Sequence, residues 1–151
     1  MLTKVKQSLA VLLILASSFS VAGLANAASG TNAGPKGIWI DHTGRGAIEI
    51  VDCNNKLCGR IVWLEEGQPR EACGRAVIGD VKFVGDGKWD KGWIYDPELD
   101  AKFDVELTPL ANGTLQVLGY AGLKALSETM VWKRAPVDIK TCSIGDTAVA
   151  K

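Results

Sequence analysis

The sequence predicts an all-β fold, an eight-stranded antiparallel up-and-down barrel with a disulfide-tied C-terminal tail, on three observations. Eight β-rich runs follow one another between Gly37 and Arg134 with no sustained helical period among them. Most connections are short and made of turn residues, and short connections make neighbours antiparallel, because a parallel crossover takes about a dozen residues or more. A meander of this kind leaves two unpaired edges unless it closes on itself, and closure removes both.

The chain has 151 residues, room for one domain, and its start reads as a leader. Lys4 and Lys6 supply a basic beginning, Leu9 to Ala16 an apolar run, and Ala25-Asn26-Ala27 small residues where a signal peptidase reads. This layout predicts a secretory signal peptide over 1–27, cut before Ala28. The apolar run falls short of the ~20 residues a membrane span needs. No cysteine lies near the cut for lipoprotein processing, so the expected product is soluble, periplasmic or secreted, with no membrane span. Residues 28–36 are small and polar and read as a flexible lead-in.

The barrel domain is expected over 37–134, with predicted strands Gly37–Asp41, Gly46–Cys53, Cys58–Glu65, Val77–Val84, Lys88–Asp96, Ala101–Thr108, Thr114–Ala121 and Glu128–Arg134. Asp86-Gly87 suits a tight hairpin because glycine takes positive φ without penalty. Asp96 to Asp100 and Ala111-Asn112-Gly113 mark the next two turns. The long exception is 66–76, holding Gly67, Pro69, Cys73 and Gly74. Alternation is cleanest in the sixth strand, where Phe103, Val105 and Leu107 face away from Lys102, Asp104 and Glu106. In the fifth, strict alternation puts Trp89, Trp93 and Tyr95 on one face, with Lys91 among them. Residues 135–151 are expected to form a tail crossing back over the body.

All four cysteines lie after the leader, and an even number in an exported chain favours disulfides. Three pairings are open, and Cys53–Cys58 with Cys73–Cys142 is favoured because the first pair flanks a hairpin turn. Zinc is the alternative, but one Cys-x4-Cys pair without a nearby histidine is a poor tetrahedral set, so neither metal nor cofactor is expected. Without the leader the chain holds 15 basic and 17 acidic residues, dispersed along it, which lacks the footprint of a nucleic-acid binder.

Catalysis has little to build on. His42 is the single histidine, sits in a turn, and has no Gly-x-Ser-x-Gly element to serve. The acidic pairs Glu65-Glu66 and Asp96 with Asp100 lie in turns, where carboxylates are ordinarily solvated. No enzyme is expected. Five tryptophans, two tyrosines and three phenylalanines instead offer rings either to fill a small core or to line a cavity, since an eight-stranded barrel is just wide enough for one small ligand. Trp63, Trp93, Tyr95, Phe103, Tyr120 and Trp132 are the candidate ligand-binding residues by strand position.

Gly37-Ile38-Trp39, Asp52-Cys53, Leu57-Cys58-Gly59, Gly92 to Pro97, Gly119-Tyr120 and Trp132-Lys133-Arg134, in that order, resemble the domain-of-unknown-function family 2147 of small exported bacterial proteins. The resemblance runs from about Gly37 to Arg134. It implies a lipocalin- or calycin-like barrel in the periplasm or outside the cell, and brings no established activity. Gly37, Trp39 and Arg134 resemble the closure of such barrels, in which a guanidinium packs over an indole at the closed end. Pairing of the first and last strands, with Arg134 beside Trp39, is therefore expected. Two departures limit the transfer. Gln68 to Gly74 differs from the family's usual middle loop, and Cys73 with the Cys142 tail resembles a subgroup feature. The expected function is an exported small-molecule-binding barrel for an apolar or amphipathic ligand. The alternative is an envelope or secreted interaction module that binds a protein partner through 66–76.

Overall fold

The computed structural model describes residues 34–142; the expected signal peptide, the first part of the lead-in and residues 143–151 lie outside them. The strands are β1 (Gly37–Ile40), β2 (Gly46–Cys53), β3 (Lys56–Leu64), β4 (Ala76–Gly85), β5 (Lys88–Asp96), β6 (Ala101–Pro109), β7 (Leu115–Ala121) and β8 (Leu123–Arg134). Each pairs antiparallel with the next, and β1 pairs with β8 through Trp39↔Arg134 and Ile40↔Lys133, which closes the barrel.

The turns follow local chemistry. Asn54 and Asn55 both adopt positive φ, as do Asp86 and Gly87, the conformation of a two-residue hairpin whose twist matches its strands. Strand β3 therefore begins two residues before the predicted Cys58. The long connection contains a 3₁₀ turn, Arg70–Ala72. β8 begins five residues before the predicted Glu128, because the β7–β8 hairpin continues past Tyr120 through an irregularity that pairs Ala121 with Leu123.

Alternation fixes two faces, and the core identifies the inner one: Trp39, Ile48, Ile50, Leu57, Ile78, Val81, Ile94, Val105, Leu107, Leu115, Val117 and Trp132 form one buried cluster. Strand five corrects the sequence expectation. Trp89 pairs with Leu107 and Gly92 with Val105, so the extra residue at Asp90-Lys91 is a bulge, and Lys91 takes positive φ there. A neighbouring bulge lies in β4 around Asp80, also at positive φ, where Leu57↔Val81 and Gly59↔Ile78 bracket it. One extra residue reverses facing beyond it. Trp89 consequently points inward, whereas Trp93 and Tyr95 point outward.

Two disulfides are formed, Cys53–Cys58 across the β2–β3 hairpin and Cys73–Cys142 between the long loop and the tail. The tail leaves β8 with the Ala135 N–H donating to the Ile38 carbonyl, and ends with the Cys142 N–H donating to the Val62 carbonyl. It thereby runs from β1 to β3, across β2. On the loop-closure model a bridge enclosing this much chain stabilises by roughly 4 kcal/mol.

Candidate functional site

The two ends of the barrel differ. At one end lie the start of β1, the finish of β8, and the β2–β3, β4–β5 and β6–β7 turns. This end is sealed. The Arg134 guanidinium carbon sits 3.7 Å from the Trp39 ring centre, and its Nη1 donates to the Lys36 carbonyl at 2.8 Å. Trp39, 1 % exposed, donates Nε1–H to the Pro35 carbonyl at 2.7 Å. Gly37 lies at φ +120°, a conformation reserved to glycine, and a Cβ there would collide with Arg134 Nη1. Residues 34–36 lie against this end, with Gly34 beside the Trp89 ring. Above the seal Ile50, Val81, Leu107, Leu115 and Val117 have no exposed surface, so they border no space that admits water. Buried Trp132 shares this layer through its pairing with Leu115, and its Nε1–H has no hydrogen-bond partner among the described residues.

The opposite end carries the β1–β2, β3–β4, β5–β6 and β7–β8 connections. Here the inward side chains are less covered. Ile61 and Phe103, paired with Ile48 and Ile94, are half-buried, as is Met130 just below. Gly119 faces inward next to Met130 and Ile94; a Cβ on it would lie 3.8 Å and 4.0 Å from them, ordinary contact distances. Glu128, paired with Gly119, brings a carboxylate to the same inner face. Across this mouth Arg45 Nη2 donates to Glu98 Oε1 at 3.1 Å. These residues belong to the β1–β2 and β5–β6 turns, half-way round the barrel from one another, so their side chains bridge the opening.

Outside the wall, Trp93 lies flat against β4 at Gly79, where any Cβ would strike the indole. Its Nε1–H donates to Asp80 Oδ2 at 3.3 Å, and Lys102 Nζ rests 3.7 Å from the ring centre. Next to it Tyr95 donates its hydroxyl to Asp100 Oδ1 at 2.8 Å, and the Arg75 guanidinium carbon lies 6.0 Å from the Tyr95 ring centre. The hydrogen bond from Lys56 and its charge, with Trp93 assisting, hold the Asp80 carboxyl below its ordinary range. Arg75, Ala76, Trp93, Tyr95 and Lys102 line an open groove of about 490 Å³.

Farther along the same outer face lies a polar cluster that the sequence does not announce. Gly122 N–H donates to Asp104 Oδ2, which folds the β7–β8 turn over β6. Lys124 from this turn donates to Asp90 Oδ2 and to Glu106 Oε2, carboxylates on residues 7 % and 6 % exposed. Tyr120 donates its hydroxyl to Asp90 Oδ1 at 2.6 Å. Burial raises the Asp90 carboxyl, but the bonds from Lys124, Tyr120 and the Lys91 N–H outweigh it and leave it below its ordinary value. Burial and then the Asp90 bond push the Tyr120 phenol up to about 12. The two carboxylate bonds raise the Lys124 ammonium. Lys124 thereby ties the β7–β8 turn to β5 and β6, so the cluster is a clasp for the turn.

The six rings expected at a ligand site do not converge. Phe103 and Trp132 face inward, one at the mouth and one in the sealed layer. Trp93, Tyr95 and Tyr120 face outward through Trp93↔Asp104, Tyr95↔Lys102 and Asp104↔Tyr120. Trp63 pairs with Ala47, neighbour of the inward Ile48, and so also faces outward. No single cavity holds them. For Trp93 and Tyr95 the signals are Gly79-Asp80 and Lys91-Gly92, the bulge positions, and for Trp63 the register shift opposite Ala47-Ile48; the effect of each on facing requires knowledge of the partner strand.

A profile of the family described as "Uncharacterized protein conserved in bacteria (DUF2147)" matches residues 37–134, the span of the closed barrel. Among curated proteins none matches this chain. Among solved structures the chain is similar to one titled "Protein HP1028 from the human pathogen Helicobacter pylori belongs to the lipocalin family", at 16 % identity and a TM-score of 0.54, covering 68 % of this chain and 84 % of that one. At that identity the likeness concerns the fold.

Proposed function

This chain belongs to the DUF2147 family of bacterial proteins, and from that premise and the shape of its barrel we propose that it is an exported binding protein that holds a small apolar or amphipathic ligand in the barrel mouth. The observation that carries this reading is the contrast between the two ends. The sealed half leaves no room, whereas Ile61, Phe103 and Met130 present apolar surface to the open end above a floor of Ile48 and Ile94. An apolar body gains roughly 25 cal/mol for each Å² it covers there. A polar head then lies at the rim, beside Glu128 and the Arg45–Glu98 bridge. Two disulfides and the leader-like first 27 residues support export.

The test uses N-phenyl-1-naphthylamine, an apolar fluorophore, and a Gly119→Leu variant. The new side chain is directed into the mouth, its Cβ meets only ordinary contacts, and a circular-dichroism spectrum equal to that of wild type checks that the fold is retained. Wild type is expected to bind the fluorophore saturably, and Gly119→Leu roughly tenfold or more weaker, the equivalent of about 1.4 kcal/mol. Equal binding by both proteins, or no saturation by wild type, overturns the reading. Mass spectrometry of the exported protein is expected to find Ala28 at its start, and of material extracted from it, the ligand.

A further inference from the structure

We propose that the outer groove between Arg75 and Lys102 is a second binding site, separate from the mouth, and that it takes a small organic carboxylate. Among the described residues neither cation forms an ion pair with a carboxylate, whereas Lys36, Arg60, Lys56, Lys88 and Lys124 each do. The Lys102 ammonium rests on the face of Trp93 and the Arg75 guanidinium near the face of Tyr95. A ring face attracts a cation through its quadrupole and takes up only part of its N–H donors. An ammonium or guanidinium seated this way keeps N–H donors for another acceptor.

The carboxylates on this face are engaged elsewhere. Asp80 accepts from Lys56 at 2.8 Å and from Trp93, Asp100 accepts from Tyr95, and Asp104, paired with Trp93, accepts from the Gly122 N–H. Their acceptor bonds hold them to their own partners and leave the two cations to face the groove. Arg75 offers a planar fork that matches the two oxygens of a carboxylate, and Lys102 a mobile point charge opposite. The groove's volume, about 490 Å³, exceeds what the head group alone occupies and lies in the range of small-molecule sites.

The wall is constructed to keep Trp93 there. Gly79 removes the Cβ that would displace the indole, and Asp80 accepts the indole N–H from a positive-φ conformation at the β4 bulge. The bulge at Lys91 turns the ring outward, under Lys102.

The experiment is a titration of the disulfide-bonded protein with benzoate, followed by the indole N–H resonance of Trp93 in ¹⁵N-labelled protein, with the neutral isostere benzamide as control. Benzoate is expected to move this resonance saturably and benzamide at least tenfold more weakly. Lys102→Gln and Arg75→Gln are each expected to weaken benzoate by roughly tenfold, as loss of one charge-assisted bond implies, whereas Lys102→Arg retains binding. Gly119→Leu is expected to leave benzoate binding unchanged, which separates this site from the mouth. Absence of saturable movement at Trp93, equal effects of benzoate and benzamide, or full benzoate binding by the Lys102→Gln and Arg75→Gln variants overturns the proposal.

Discussion

Replacing Arg134 with alanine tests the closure most directly. The substitution removes a cation from the Trp39 face, worth roughly 0.5–1 kcal/mol at an exposed site. It also removes the bond from Nη1 to the Lys36 carbonyl, worth about 1 kcal/mol net because water reaches the vacated oxygen. Together the expected loss is about 2 kcal/mol. With a urea dependence of about 1–3 kcal/mol/M for a domain of this size, the unfolding midpoint falls by roughly 1 M. Arg134→Lys keeps a charge near the ring but lacks the flat fork, and is expected to lose about half as much. Trp39→Phe measures the partner, and the double variant completes a cycle whose coupling should reach ~0.5 kcal/mol or more for groups in contact. The assay is equilibrium urea unfolding monitored by circular dichroism, with the slope held constant. An Arg134→Ala midpoint equal to that of wild type, or a coupling of zero, would refute the idea that this pair seals the barrel.

Four further outcomes are expected. Tyr120 has its folded-state pKa raised to about 12 from the ordinary tyrosine value near 10, so its stabilisation is complete below about pH 10 and disappears as pH climbs through 12; Tyr120→Phe should flatten the alkaline loss of stability in a pH series of thermal melts. Asp90 shifts the other way, so its contribution is present above the ordinary aspartate range and is lost on acidification, and Asp90→Asn should remove that acid dependence at the cost of loosening the β7–β8 turn in hydrogen exchange. Cys142→Ser, which opens the bridge to Cys73, is expected to cost up to roughly 4 kcal/mol in urea unfolding, whereas reduction should have no further effect on that variant beyond the smaller Cys53–Cys58 share of roughly 2 kcal/mol. Arg45→Gln removes an exposed ion pair worth ~0–1 kcal/mol, so stability should hardly change while fluorophore exchange at the mouth becomes faster in stopped-flow traces.

Much of the wall was legible from residues alone. Asn54-Asn55 and Asp86-Gly87 announce hairpins because few residues tolerate positive φ, and Phe103, Val105 and Leu107 announce an inner face because a strand's period is two. Gly37, Trp39 and Arg134 mark the strands that must meet. The binding features were legible only in part. Alternation put Phe103 on the inner face, but Trp93 and Tyr95 were assigned by strict alternation to the face of Trp89, and the Lys91 bulge separates them from it. Arg75 and Lys102 carry no local signal, being ordinary cations at the starts of β4 and β6.

Near neighbours in the sequence thus decided the strand count, the antiparallel order, most of the turns and the hairpin bridge of Cys53 with Cys58, though not the β7–β8 turn at Gly122. The tertiary structure decided what depends on partners distant in the chain. A bulge exists only relative to the strand opposite it, so the outward turn of Trp93 required Leu107, Val105 and Gly79 to be in place. The Lys124 clasp on Asp90 and Glu106, the Arg45–Glu98 bridge and the groove between Arg75 and Lys102 each join residues from different strands or turns. Closure brings them together because eight tilted strands wound into one surface convert large separations along the chain into hydrogen-bonding and contact distances.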